Sequence, residues 1–112
     1  MILDSEQREV ERDAEGYLID PGDWDKSVAQ QLASQENIEL TEQHWQVLEF
    51  MRRYYDEHGI AADARYVIKF METDMLLGKQ AHNHLFKLFP YGYVKQACKV
   101  AGMQRPRAWS TG

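Results

Sequence analysis

The feature that most constrains this chain is a run of apolar residues with the period of an α-helix between Thr41 and Gly59. Such a stripe is typical of a helix that packs one face against a core. Thr41 is a good N-cap, and glycine is the residue type that most often ends a helix. The segment therefore predicts a helix from residue 42 to Gly59. Its stripe consists of Trp45, Leu48, Met51 and Tyr55, widened by Val47, Phe50 and Tyr54.

Similar patterns predict four further helices. The first begins at Asp23 or Asp25, either of which can cap it, and it ends near Ser34. The other three are followed by residues that stop helices, namely Gly78, Pro90 and Gly102. Their approximate spans are 63–77, 80–89 and 93–101. Because the connections are short, we predict a mostly α-helical protein built as an irregular five-helix bundle.

A short β-hairpin is predicted before the helices, because residues 10–13 and 17–19 read as strands on either side of Gly16. We expect residues 1–112 to form a single domain with three parts. These are a hairpin at 1–20, a helical body at 23–102 and a flexible C-terminal arm at 103–112.

Several kinds of site and location are excluded or disfavoured by composition. The chain has one cysteine, so an intramolecular disulfide and a cysteine-based zinc site are both impossible. The four histidines lack metal-binding spacing, and no phosphate loop or nucleophile motif is present, so we expect no metal and no cofactor. The acidic N-terminus is unlike a signal peptide, and no apolar run could span a bilayer. We expect a cytoplasmic monomer that makes no membrane contact.

The net charge of −5 is divided unevenly along the chain. Residues 1–74 hold seven Lys and Arg against all eighteen Asp and Glu, a net −11. Residues 75–112 hold six basic residues and no acid, a net +6. Either the basic third contacts an anionic partner, or the two parts pair with each other inside the molecule.

Cys98 is the main candidate for chemistry. Its neighbours at helical spacing are apolar, which favours a core position where cysteine acts as a small, inert hydrophobe. Those neighbours are Val94, Ala97 and Ala101. Lys95 and Lys99 also flank the thiol, and nearby ammonium groups favour the reactive thiolate. The pattern allows both interpretations.

The third and fourth helices, joined near Gly78 and Lys79, also permit a DNA-binding helix-turn-helix. The net charge of −5 argues against it, because DNA affinity depends mainly on neutralising phosphates. The basic residues available for phosphate contacts are Arg65, Lys69, Lys79, Lys87, Lys95 and Lys99.

Several segments together resemble a known family. They are residues 15–18 (EGYL), 23–24 (DW), 40–45 (LTEQHW) with Phe50, Tyr54 and Tyr55 behind them, 88–92 (LFPYG), 95–102 (KQACKVAG) and Pro106. They resemble the DsrC/TusE family, which includes the gamma protein of dissimilatory sulfite reductase and the TusE carrier of a tRNA-thiolation relay. The resemblance implies a helical bundle with a mobile C-terminal arm. It also implies a role in sulfur oxidation or tRNA thiolation, with sulfur-relay or sulfite-reductase proteins as partners.

The chain departs from that family in the arm. Carriers of the family have a cysteine as the penultimate arm residue, and two-cysteine members have a second one in the KQACK segment. Cys98 matches the inner cysteine, but Trp109 stands at the arm position, with ten residues between them. Tyr93 stands where the family usually has proline, and the usual Gly-Asn-Ser run is missing around residues 80–84.

This departure predicts a partner-binding or regulatory protein of a sulfur relay that is neither an enzyme nor a standard sulfur carrier. Trp109 offers the large apolar face that anchors many interfaces. An alternative is a persulfide carrier of the sulfurtransferase type that uses Cys98 alone, and another is the helix-turn-helix DNA regulator. The residues predicted to contact the partner are Trp109, Arg105, Arg107, Lys95 and Lys99.

Overall fold

The structure, a computed structural model, describes residues 1–105 of the 112-residue chain. Within that range five α-helices are present, which confirms the mostly helical prediction. They are α1 (Lys26–Gln35), α2 (Glu42–His58), α3 (Ala64–Thr73), α4 (Ala81–Leu88) and α5 (Cys98–Val100). A π-helical turn, Tyr93–Ala97, runs directly into α5. Short 3-10 turns, Pro21–Asp23 and Gly78–Gln80, precede α1 and α4.

The ends of the helices follow from local chemistry. Asp25, and not Asp23, caps α1, because its Oδ1 accepts the Val28 amide at 2.9 Å. Gly59 ends α2 with a φ of 74° and donates its amide to the Tyr55 carbonyl at 2.7 Å. Glycine reaches this left-handed backbone region at no steric cost. Both ends of α2 therefore lie where the sequence predicts them.

The third helix is shorter than predicted. It ends at Thr73 rather than near residue 77, because Leu76 has a φ of 58° and turns the backbone out of the helix. The Leu77 amide then bonds to the Met71 carbonyl at 3.1 Å. Met75 and Leu77 still pack against the core, so the apolar pattern continues past the last helical residue.

The predicted N-terminal hairpin is wrong. Within residues 1–20 there is no strand, and the chain instead forms two isolated antiparallel bridges, Leu3 with Glu9 and Arg12 with Leu18. A turn does form at Gly16, but a lone two-stranded ribbon gains little in water. The backbone of Leu3 is bonded at both its N–H and its carbonyl to the Gln31 side chain of α1. Bonds to a side chain of α1 and isolated bridges therefore stand in place of a continuous ladder.

The core lies where α1 packs against α5, α2 against α3, and α3 against α4. The inner part of the predicted α2 stripe is buried, and its aromatic residues are half-buried. None of the described helices combines the length and apolar content needed to cross a bilayer. The largest fully buried side chains include Tyr93, Phe89, Leu18, Leu32, Leu48, Met51 and Met71.

Candidate functional site

Cys98 lies in the core as the first residue of α5, and it is 0% exposed. Burial raises the pKa of its thiol from 9.0 to about 12, and a hydrogen bond with the Tyr93 hydroxyl opposes that rise only in part. Because the thiolate is the nucleophile, a buried thiol with a raised pKa is unreactive. The geometry therefore agrees with the apolar pattern around Cys98.

The π-helical turn before Cys98 places Tyr93 beside the thiol. Gly92 precedes the turn with a φ of 99°, and its carbonyl accepts the amides of Gln96 and Ala97. The Tyr93 hydroxyl donates to the Ala62 carbonyl, and burial raises the Tyr93 pKa. Tyr93 thus fills space next to the sulfur.

Side chains from distant segments fix the backbone around Cys98. One of these bonds reaches the π-helical turn before α5, and the other two satisfy carbonyl groups at the end of α5 that the helix itself leaves unpaired. Moving Cys98 to the surface would require breaking them. The three hydrogen bonds run from Tyr17 Oη to the Val94 carbonyl (2.9 Å), from Trp24 Nε1 to the Val100 carbonyl (2.9 Å) and from Arg52 Nη1 to the Ala101 carbonyl (3.1 Å).

The two lysines near Cys98 have different environments. Lys99 is paired with Glu36 at 3.6 Å (Nζ to Oε2) and lies over the Tyr17 ring, with its Nζ 5.2 Å from the centroid. Lys95 is exposed and lines a cavity of about 400 Å³ together with Tyr17 and Tyr91. The Lys95 ammonium group is therefore accessible to a partner, whereas the Lys99 ammonium group would first have to break its ion pair with Glu36.

Of the remaining candidate contact residues, Arg105 lies within the described part of the chain. Arg105 Nη1 is 2.6 Å from Glu15 Oε1, and Gln104 Nε2 donates to the Ile19 carbonyl at 2.7 Å. Arg107 and Trp109 lie outside the described residues. Lys99 and Arg105 of the basic third both pair with acids of the first part, so the charge asymmetry is met partly inside the molecule.

His44 is a buried polar residue, one of the four histidines whose spacing predicted no metal site. Its Nδ1 accepts the Thr41 amide at 3.0 Å, so its Nε2 carries the proton and donates to the Leu88 carbonyl at 2.8 Å. The Thr41-x-x-His44 spacing, in which histidine replaces the usual Glu or Gln of a capping box, was the signal that could have identified it.

Burial of His44 predicts a loss of stability in acid. Burial holds the pKa of His44 below its usual 6.5. Between that lowered pKa and 6.5 the unfolded chain binds a proton that the folded chain does not, so the free energy of unfolding falls as pH drops through this window. His44→Gln keeps a capping side chain but cannot titrate. Denaturant unfolding at about pH 7 and about pH 5 should show a smaller decrease for the variant; equal decreases would contradict the prediction.

The chain matches one protein family over most of its length. The model of the family described as "DsrC like protein" matches residues 4–108. Sulfurtransferase TusE of Photorhabdus laumondii is 40% identical over 106 residues, covering 95% of this chain and 96% of that protein. Sulfurtransferase TusE of Pectobacterium atrosepticum is 41% identical over 105 residues, covering 94% and 96%.

Solved structures agree with the sequence matches. The NMR structure of Allochromatium vinosum DsrC superposes with a TM-score of 0.81 at 39% identity, covering 97% of each chain. The crystal structure of the oxidized gamma-subunit of the dissimilatory sulfite reductase (DsrC) from Archaeoglobus fulgidus gives a TM-score of 0.80 at 30% identity, covering 96% of this chain and 98% of that one. These matches confirm the resemblance found in the sequence. The chain belongs to the DsrC/TusE family of sulfur-relay proteins.

Proposed function

We propose that this chain binds partners of a sulfur relay and that its folded form does not carry sulfur on Cys98. The observation that supports this proposal is the position of the thiol, which is 0% exposed and has a pKa raised by burial to about 12. Formation of a persulfide requires a thiolate that can reach the sulfur donor. The arm position that would otherwise offer such a thiolate is occupied by Trp109.

A persulfide carrier that uses Cys98 is the second candidate. The names of the relatives support it, because the similar proteins from Photorhabdus laumondii and Pectobacterium atrosepticum are both called sulfurtransferases. Those names favour a carrier over a protein that only binds partners. A carrier of this kind would have to expose Cys98 by moving α5, and so would have to break the bonds from Tyr17, Trp24 and Arg52.

Sulfur loading separates the two candidates. The folded protein, the protein unfolded in guanidinium and a Cys98→Ala variant are each incubated with inorganic polysulfide, and the mass of the intact chain is measured. If the thiol is inert in the folded state, only the unfolded wild type gains sulfur. Sulfur gained by the folded wild type and absent from Cys98→Ala would instead establish the carrier.

Lys95 provides a test of partner binding that leaves the core intact. Lys95→Glu should weaken binding to an acidic relay protein about tenfold at low salt, because an exposed cation at the interface would become a like charge. Lys87→Glu makes the same charge change on an exposed residue of α4 and serves as the matched control. Calorimetric titration at two salt concentrations measures both variants. Equal affinities would mean that Lys95 does not contact the partner.

Trp109, Arg105 and Arg107 complete the proposed contact surface. Trp109→Ala should cost about 2 kcal/mol of binding free energy if the indole is an interface hot spot. The helix-turn-helix interpretation stays a prediction. Although α3 and α4 pack against each other, salt-dependent binding of duplex DNA is the observation that it needs.

A further inference from the structure

A second surface, distant in sequence from Cys98, forms a groove between α2 and α3 whose floor consists of aromatic rings. Phe50 stacks on Phe70 with ring centroids 4.5 Å apart, and Tyr54 stacks on Tyr66 with centroids 5.6 Å apart. From the first ring pair to the second, the residue number rises in α2 (Phe50 to Tyr54) and falls in α3 (Phe70 to Tyr66), so the two helices are antiparallel. The two ring pairs therefore lie one after the other along the groove, and we call each pair a rung. The groove encloses about 410 Å³, which lies within the usual size range of small-molecule sites.

The charged residues of this groove follow an order set by the antiparallel helices. Arg53 and Lys69 each fall between the two rungs, whereas Glu57 and Asp74 lie beyond them at opposite ends. Within residues 1–105, the side chains of Arg53, Lys69 and Glu57 form no ion pair. Two cations without acidic partners therefore flank an aromatic floor at the middle of the groove.

This arrangement defines what can bind. A flat apolar ring can lie against the exposed side of Tyr66, which is 48% exposed. A neutral apolar ligand would desolvate Arg53 and Lys69 without compensation, and a cation would be repelled by both. A second copy of this chain, related by a two-fold axis through the middle of the groove, would place these cations against their own equivalents. An anionic group at the centre satisfies both side chains.

We propose that the α2–α3 groove binds a small planar aromatic anion, whose ring lies against the exposed side of Tyr66 and whose carboxylate or phosphate lies between Arg53 and Lys69. The site is distinct from the one that carries the proposed sulfur-relay function, because the groove shares no residue with the bonds that hold α5. The end carboxylates Glu57 and Asp74 restrict the anionic group to the middle of the groove and can accept N–H donors from the ring.

The experiment uses probes that vary one property at a time. Indole-3-acetate carries both the ring and the anion, tryptamine carries the ring with a cation, and cyclohexylacetate carries the anion without an aromatic ring. Phenyl phosphate tests the other anion. Each probe is titrated into the isotope-labelled full chain while backbone amide shifts are followed by NMR. We expect saturable shifts confined to α2 and α3, with indole-3-acetate or phenyl phosphate binding at least about tenfold more tightly than tryptamine or cyclohexylacetate.

Two variants complete the test. Arg53→Gln with Lys69→Gln should weaken indole-3-acetate binding about tenfold or more, and Lys79→Gln with Lys87→Gln removes the same charge from exposed positions outside the groove as the matched control. All four positions are exposed, so thermal melting should be unchanged in both variants. The proposal is overturned if tryptamine binds as tightly as indole-3-acetate, if the shifts lie outside α2 and α3, if both double variants bind equally well, or if no probe gives saturable shifts.

Discussion

At about pH 8, Cys98 in the folded protein should react with iodoacetamide about a thousandfold more slowly than in the unfolded chain. The thiol pKa rises from 9.0 to about 12 on burial, and each unit lowers the thiolate fraction tenfold. Because Cys98 is the only cysteine, the labelled mass reports on it alone. Rates measured with and without guanidinium give the ratio directly.

The same experiment measures how easily α5 opens. Trp24→Phe removes the indole N–H that bonds to the Val100 carbonyl and leaves most of the ring volume. This variant should label faster than the wild type under native conditions, because fewer bonds hold the helix over Cys98. A wild-type rate within about tenfold of the unfolded rate would contradict the inert thiol and favour the carrier candidate.

Gly102→Ala should lower the free energy of unfolding by about 3 kcal/mol. Gly102 has a φ of 76°, a backbone conformation that costs other residues about 1 kcal/mol or more. A Cβ at this position would lie 2.3 Å from Trp24 Cδ1. Trp24 cannot move away cheaply, because its indole is bonded to Val100 and stacked under Arg52, whose guanidinium carbon is 4.7 Å from the ring centroid. Guanidinium unfolding followed by circular dichroism measures the loss.

Gly59→Ala is the matched control for this substitution. Gly59 has nearly the same φ, 74°, but a Cβ there would meet nothing within 4 Å. It should therefore cost only the backbone strain, about 1 kcal/mol. The difference between the two variants isolates the contact with Trp24, and equal losses would mean that this contact does not restrict position 102.

The segments that carry the family resemblance contact one another in the folded chain. Trp24 of the DW segment meets Val100 and Gly102 of the KQACKVAG segment. His44 of the LTEQHW segment bonds to Leu88 of the LFPYG segment. The sequence identifies each segment separately, but only the structure shows that they are pairs. The two segments of each pair lie tens of residues apart in the sequence, and local periodicity carries no information about contacts over such separations.

Local signals were enough for α2. The N-cap at Thr41, the left-handed glycine at 59 and the apolar period between them determine α2, because backbone hydrogen bonds in a helix link residues only four positions apart. The same reasoning placed Cys98 on an apolar face, and it is buried as that face predicts. The prediction failed for residues 1–20, where isolated bridges and bonds to the Gln31 and Asp13 side chains replace the regular strand pairing that alternation predicts.

The sequence by itself thus determined the helical class, the family and the apolar face that contains Cys98. The tertiary structure decided the chemistry of the charged and titratable groups. Lys99 is paired with Glu36 while Lys95 is free to contact a partner, although both flank the same cysteine. The thiol pKa likewise depends on how completely distant segments exclude water from Cys98. Ion pairing and desolvation are set by the three-dimensional neighbours of a group, and those neighbours exist only after the chain has folded.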